Sequence, residues 1–221
     1  MQTKTIRAFI GIPLDTCVYS DVYSDTHTNG DIKSENKADT SANRYLDRAL
    51  RPLQPRLQAG TMRWTKPHNR HLTLAFLGQV NSDIHKSLAP DLTKLLSSIP
   101  VLTVPLLNLA PFPSKRSKLV AVQVEATPEL VTLYQGLLDC CAGQEITVSD
   151  SDRHFRPHIT LGRYKSGRRT EPTIADNFPI QLQGNLSIYD VAFYQSTPTL
   201  EGSEYTVLHA WRLQRDSSNI L

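Results

Sequence analysis

His71-Leu72-Thr73-Leu74 returns in the second half of the chain as His158-Ile159-Thr160-Leu161. On a β-strand, residues i and i+2 share a face, so each segment sets an imidazole beside a hydroxyl and turns its two aliphatic side chains the other way, into a core. One His-x-Thr is a short pattern that chance supplies often. Two copies, each closed by an apolar residue and each near the middle of its half, describe one polar device built twice.

Strand and helix signals recur in similar order around each motif. Residues 6–12 read as a buried strand with Arg7 at its start. A helix over about 45–57 is expected to break or kink at Pro52 and Pro55. Residues 63–65 form a short strand, Pro67 opens the turn into the His71 strand, and Gly78 ends that strand. Asn81 or Ser82 caps a helix to about Ser97, with Ile84, Leu88, Leu92, Leu95 and Leu96 near helical spacing and Pro90 as a kink or split. Strands over 102–109 and 118–125 are joined by a proline-rich turn at 111–114. Pro128 starts a helix to about Cys141, the second motif strand covers 158–163, and strands over 183–195 and 204–214 close the chain. The pattern predicts an α+β fold, pseudo-duplicated, with two mainly antiparallel sheets and flanking helices around a central cleft.

The chain has 221 residues, 39% hydrophobic and 20% charged, which fits a globular protein with a sizeable core. The net charge of +3 is unevenly spread. Residues 18–45 carry five acids against three bases and repeat Val-Tyr-Ser-Asp in tandem. With no apolar period, this stretch is expected to be a flexible surface insertion in one domain spanning 1–221. Residues 151–170 hold six bases (Arg153, Arg156, Arg163, Lys165, Arg168, Arg169) against Asp152, a surround that favours an anionic ligand at the second motif. Cys17, Cys140 and Cys141 have neither disulfide-framework nor metal spacing, so a reducing cytoplasm is expected. The apolar run from Ala8 to Leu14 is too short and too interrupted for a signal peptide or a membrane span, so no membrane partner is expected.

Two imidazoles in one cleft supply an acid and a base near neutral pH. Two threonine hydroxyls can donate to the non-bridging oxygens of a bound anion. That set suits in-line attack at phosphorus without a metal or cofactor, and a strained 2′,3′-cyclic phosphate is an apt substrate.

The chain resembles the 2H phosphoesterases, and most of all their bacterial RNA 2′,3′-cyclic phosphodiesterase branch, historically called 2′-5′ RNA ligase. The likeness is carried by Arg7-Ala8-Phe9-Ile10-Gly11-Ile12-Pro13, by Arg63-Trp64, and by Pro67-x-Asn69-x-His71-Leu72-Thr73-Leu74-Ala75-Phe76-Leu77-Gly78. It continues in Phe155-Arg156-Pro157-His158-Ile159-Thr160-Leu161-Gly162-Arg163 and in Tyr205-Thr206-Val207-Leu208 with Trp211 and Leu213. The resemblance implies a bilobal protein with one motif per lobe, His71 as proton donor, His158 as proton acceptor, and Thr73, Thr160 and Arg163 on the phosphate. It implies RNA ends bearing a 2′,3′-cyclic phosphate, or small cyclic nucleotides, as partners. Two lobes also suggest a monomer. A non-catalytic RNA-end binder, or a phosphodiesterase or 2′-5′ ligase acting on another nucleotide, are the alternatives.

Strict alternation puts Arg163 on the face opposite His158, so its place in the site needs a bulge or sharp twist at Gly162. Arg70 departs from the family pattern and is expected to add a surface charge at the cleft rim. His68 and His154 are read as rim residues rather than as completing a four-histidine metal cage. His27, His85 and His209 are read as structural or solvated, and Phe155 and Trp64 as core.

Overall fold

The computed structural model describes residues 4–20, 41–52, 62–114, 117–149, 154–164 and 179–214. The strands are β1 (Thr5–Pro13), β2 (Val18–Ser20), β3 (Met62–Trp64), β4 (His71–Asn81), β5 (Leu102–Phe112), β6 (Leu119–Val124), β7 (His158–Tyr164), β8 (Ile180–Gln181), β9 (Asn185–Ile188), β10 (Asp190–Thr199) and β11 (Gly202–Arg212). The helices are α1 (Ala42–Leu50), α2 (Ile84–Leu96) and α3 (Pro128–Gly143). The fold is α+β, and every pairing between these strands is antiparallel.

Strands follow the order β11-β10-β1-β4-β7-β6-β5-β9-β2, with β3 against β7 and β8 against β5. The path is two half-sheets meeting at one point. β1 and β4 pair over nine residues, whereas β4 and β7 share the single pair Leu72–Ile159. Beyond that pair the strands part, and β3 takes the vacated edge of β7. Both half-sheets turn one face to a common core that includes Ile10, Ile12, Leu72, Val122, Ile159 and Phe193.

Helices α2 and α3 cover that core with stripes at helical spacing: Leu88, Leu92 and Leu96 on α2, and Leu130, Leu133, Leu137 and Cys141 on α3, all fully buried. Fully burying each leucine is worth about 1.5–3 kcal/mol. Thr127 caps α3 by accepting from the Leu130 N–H, and Pro128 stands at its first position. Trp211 on β11 donates its indole N–H to Thr93 on α2 at 3.0 Å.

Several boundaries differ from the sequence reading. Helix α1 starts three residues earlier than expected and stops at Leu50, because Pro52 has no N–H to continue the ladder; residues 53–57 lie outside the described residues. Helix α2 runs through Pro90 as one element. Strand β5 extends to Phe112, so the turn begins at Pro113. The single late strand expected over 183–195 is two strands in different half-sheets: β9 pairs with β5 and β2, β10 with β1 and β11. The ends of the 18–45 stretch are regular, with Val18–Ser20 in β2 and Ala42 opening α1. Residues 21–40 lie outside the described residues.

Arg70 is corrected from a rim charge to a buried one. Its side chain is only 4% exposed and its Nη2 lies 2.6 Å from Asp47 of α1. Its Nη1 donates to the backbone and side-chain oxygens of Asn43, each at 3.3 Å. A charge leaves water only when paired, and α1 brings the partner that sequence distance conceals.

Two outcomes follow for stability. A Cβ on Gly11 would stand 2.8 Å from the Leu72 carbonyl oxygen, a backbone atom that cannot swing away. Gly11→Ala is therefore expected to destabilise the protein by about 1–3 kcal/mol, read in urea or thermal melts. Asp47→Ala leaves the Arg70 guanidinium buried without its carboxylate and is expected to cost about 1.5–3 kcal/mol. Arg70→Met, which removes the buried charge and leaves a half-exposed Asp47 to water, is expected to cost less. The reverse order would show that the ion pair does not govern this contact.

Candidate active site

The Leu72–Ile159 pair sets the geometry of both motifs. Counting one residue outward in an antiparallel pair puts His71 abreast of Thr160, and Thr73 abreast of His158. Leu72 and Ile159 are fully buried, so alternation sends all four polar side chains to the opposite face, where each is half-buried. The two motifs are thus related by a local two-fold axis through one residue pair. The rings are close enough that charge on His158 lowers the pKa of His71.

Each histidine is oriented by the same device. His71 Nδ1 lies 2.8 Å from the Asn69 carbonyl oxygen, and His158 Nδ1 lies 3.0 Å from the Arg156 carbonyl oxygen, both two residues upstream. A carbonyl only accepts, so Nδ1 must carry the proton in each ring. Nε2 of each ring is left available to take or give a proton. Asn69 is itself held firmly. Its Nδ2 donates to the Ser203 carbonyl and to Glu204, and its Oδ1 accepts from the Tyr205 N–H. In the sequence Asn69 stands out only as part of the first motif block, with no role of its own.

The surroundings break the symmetry. His71 sits among Phe9 at 4.6 Å, Tyr205 at 4.9 Å and Tyr194 at 5.7 Å between ring centroids. Burial there, with a smaller contribution from His158, pushes its pKa down to about 4 despite the Asn69 hydrogen bond. His158 stacks on Phe112 at 4.0 Å, and the Arg156 guanidinium lies 4.8 Å from the centre of the same ring. Its pKa is also lowered, by burial first and by the Arg156 charge in part, against its hydrogen bond to the Arg156 carbonyl. Both shifts favour the neutral imidazole at pH 7. Nothing local in the sequence marks any of these four aromatic residues as a neighbour of a motif histidine.

Arg163 reaches the same face through a bulge. Along β6, Ala121 faces Thr160 but Val120 faces Gly162, so Leu161 is an extra residue in β7. The alternation slips by one, and Arg163 comes abreast of Leu119, in the row that faces the cleft with Ala121 and Gln123. Gly162 suits this close approach, since a Cβ there would stand 3.0 Å from Trp64 and 3.2 Å from the Arg63 carbonyl oxygen. The first motif bulges at the equivalent residue: Gly11 faces Thr73 and Ile10 faces Ala75, leaving Leu74 extra. Phe76 then stands where Arg163 stands in the second half, with the Arg7 guanidinium 4.9 Å from its ring centre.

The remaining candidates fall outside this quartet. His68 lies 3.5 Å from Glu204, and His154 is exposed ahead of β7. Among the described residues, no group of three or more His, Cys, Asp or Glu is spaced to hold a metal. Phe155 stacks on Tyr134 at 4.1 Å and packs on the core, as does Trp64. His85 bonds the Ser82 carbonyl, and His209 packs on Trp211. His27, Arg153, Lys165, Arg168 and Arg169 lie outside the described residues. No helix among the described residues is long and apolar enough to cross a membrane.

Comparison with known proteins agrees with this architecture. The family model of the 2′-5′ RNA ligase superfamily matches residues 46–190, which contain both motifs. The chain is 30% identical over 158 residues to the RNA 2′,3′-cyclic phosphodiesterase of Aquifex aeolicus, covering 68% of this chain and 81% of that one. It is 30% identical over 149 residues to the protein of the same description from Thermotoga maritima, covering 66% and 76%. In structure it is similar to TT0787 of Thermus thermophilus, with a TM-score of 0.69 at 20% identity over 96% of this chain and 100% of that one. It is also similar to E. coli LigT complexed with 3′-AMP, with a TM-score of 0.63 at 21% identity over 95% and 99%. With both motifs on one cleft face and more than half of its length matched, this chain belongs to the 2′-5′ RNA ligase superfamily.

Proposed function

We propose that this protein hydrolyses RNA 2′,3′-cyclic phosphate ends to 2′-phosphates by paired-histidine acid–base catalysis. The observation that carries the reading is the quartet of His71, Thr73, His158 and Thr160 on one face, with each Nδ1 proton engaged and each Nε2 left for chemistry. The relatives described as RNA 2′,3′-cyclic phosphodiesterases support it.

In this reaction, His158 Nε2 takes a proton from water as the water oxygen attacks phosphorus. The P–O3′ bond breaks, and protonated His71 delivers its Nε2 proton to O3′. The product keeps the phosphate on O2′ and has a free 3′-hydroxyl. The Thr73 and Thr160 hydroxyls donate to the non-bridging oxygens as charge builds on them, and Arg163 adds a fixed positive charge. With its pKa held near 4, His71 is the stronger acid once protonated, and His158, with the smaller shift, is the stronger base. The productive form is therefore the minor arrangement of one proton shared by the two rings, and an anionic substrate beside His71 favours it.

His71→Ala and His158→Ala are each expected to lower kcat/KM for a cyclic-phosphate RNA oligomer by about 10²–10⁴-fold, and the double variant to abolish turnover. Thr73→Ala and Thr160→Ala are expected to lower kcat by about 10–10³-fold. Activity is expected to persist in EDTA, with the 2′-phosphate as the sole product. Binding of the RNA end without any product would identify a recognition protein instead.

The pH dependence has a definite sign. kcat/KM reports the free enzyme, in which the reaction needs one histidine protonated and one neutral. Both pKa values lie below 6.5, so rising pH removes the required proton, and kcat/KM falls above pH 6.5. Below about pH 4 both rings are protonated and the base is lost. The optimum is expected on the acid side of pH 6.5; an optimum above pH 7.5 would contradict the burial argument.

A further inference from the structure

Three residue pairs follow one another along the cleft face of β7. His158 stands abreast of Thr73, then Thr160 abreast of His71, both counted from the Leu72–Ile159 pair. Past the Leu161 bulge, Arg163 is paired directly with Arg63 of β3. Directly opposed residues on antiparallel strands share a face, with Cβ atoms about 4.5–5.5 Å apart. Arg63 therefore lies on the cleft face with Arg163, while its neighbours Met62 and Trp64 pack on the core.

Two like charges abreast destabilise a sheet unless something neutralises them. Among the described residues, no carboxylate lies within ion-pairing distance of either arginine. The nearby carboxylates are engaged elsewhere: Glu201 by Lys66 at 3.5 Å, and Glu204 by Lys66 at 3.1 Å and His68 at 3.5 Å. Room is nevertheless kept for the Arg63 head group. Its Cζ lies 3.1 Å from where a Cβ on Gly202 would stand, so the β10–β11 turn of the other half-sheet has a bare glycine, at φ +132°, against the guanidinium.

We propose that Arg63, beside Arg163, forms a second phosphate subsite, which takes the phosphate on the 5′ side of the nucleotide bearing the cyclic phosphate. The inference rests on the proposed function for the position of the cyclic phosphate, over the His–Thr quartet. Only the 5′ side of a terminal nucleotide carries a further phosphate, so the direction is dictated by the substrate. Arg163 stands between the quartet and Arg63 on this face, so it can serve the cyclic phosphate while Arg63 takes the next phosphate along the strand. Guanidinium forks match phosphate oxygens in pairs, which suits Arg at both positions. The substrate class is then an oligoribonucleotide end, or a 5′-phosphorylated cyclic nucleotide, in preference to a cyclic nucleotide with a free 5′-hydroxyl.

The test compares three substrates: a 2′,3′-cyclic mononucleotide with a 5′-hydroxyl, the same with a 5′-phosphate, and a dinucleotide ending in the cyclic phosphate. Turnover and equilibrium binding are measured for wild type, Arg63→Gln and Arg63→Lys, with thermal melts to check folding. Wild type is expected to favour the two 5′-phosphorylated substrates by tenfold or more in kcat/KM and in Kd. Arg63→Gln is expected to reduce that preference to about twofold and to lower the salt slope of binding by about one, with Arg63→Lys between them. A dinucleotide preference not shared by the 5′-phosphomonoester would assign the subsite to the diester linkage. Equal losses on all three substrates would overturn the inference and leave Arg63 as a clamp between the half-sheets. Selective binding without turnover would overturn the proposed reaction while sustaining the subsite.

Discussion

Among the described residues, Leu72 and Ile159 form the only strand pair that joins β4 to β7, and the whole site hangs on it. Both side chains are fully buried in the core shared by the two half-sheets. Their burial fixes the register, because a slip of one residue would turn the apolar set to the cleft and the polar set to the core. That constraint aligns each histidine with the other motif's threonine without any hydrogen bond between the four groups. Hydrophobic burial on one face of a sheet thus performs the alignment that polar contacts would otherwise have to supply.

The strands then depart from regularity where the site needs it. Each motif strand bulges at the residue after its threonine, Leu74 in β4 and Leu161 in β7. The extra residue changes the phase of alternation, and the fifth residue after each histidine joins the cleft face. In the second half that residue is Arg163. In the first it is Phe76, which packs with the Phe9, Ala192 and Tyr194 cluster. One backbone device used twice therefore supplies a charge on one side and an apolar wall on the other. The wall lies beside the histidine whose pKa falls furthest.

Asymmetry in the protonation of two alike motifs has its origin in these neighbours. Three aromatic rings desolvate His71, whereas His158 rests on one ring that also carries the Arg156 guanidinium. The orienting hydrogen bonds are the same in kind on both sides, so they set the tautomer and leave the difference in acidity to burial.

Much of this was legible in the sequence. The i, i+2 spacing placed each His with its Thr, and the apolar residues between them marked the buried face. Leucines at helical spacing marked α2 and α3. The change from alternating residues at 185–188 to a continuous apolar run at 191–194 was also there, marking the crossing from a strand buried on one face to one buried on both. Periodicity alone joins the two segments into one strand, because it carries no record of which sheet a strand joins. The burial of Arg70 was hidden because its partner Asp47 lies on another element. The cleft-facing position of Arg163 depends on a bulge that no residue type announces unambiguously. What the sequence by itself determined is the pair of devices, since side-chain direction on a strand follows from covalent geometry. What only the tertiary structure decided is their meeting, their unequal acidity and the pairing of Arg63 with Arg163, because these depend on which distant strands and rings the core brings against each motif.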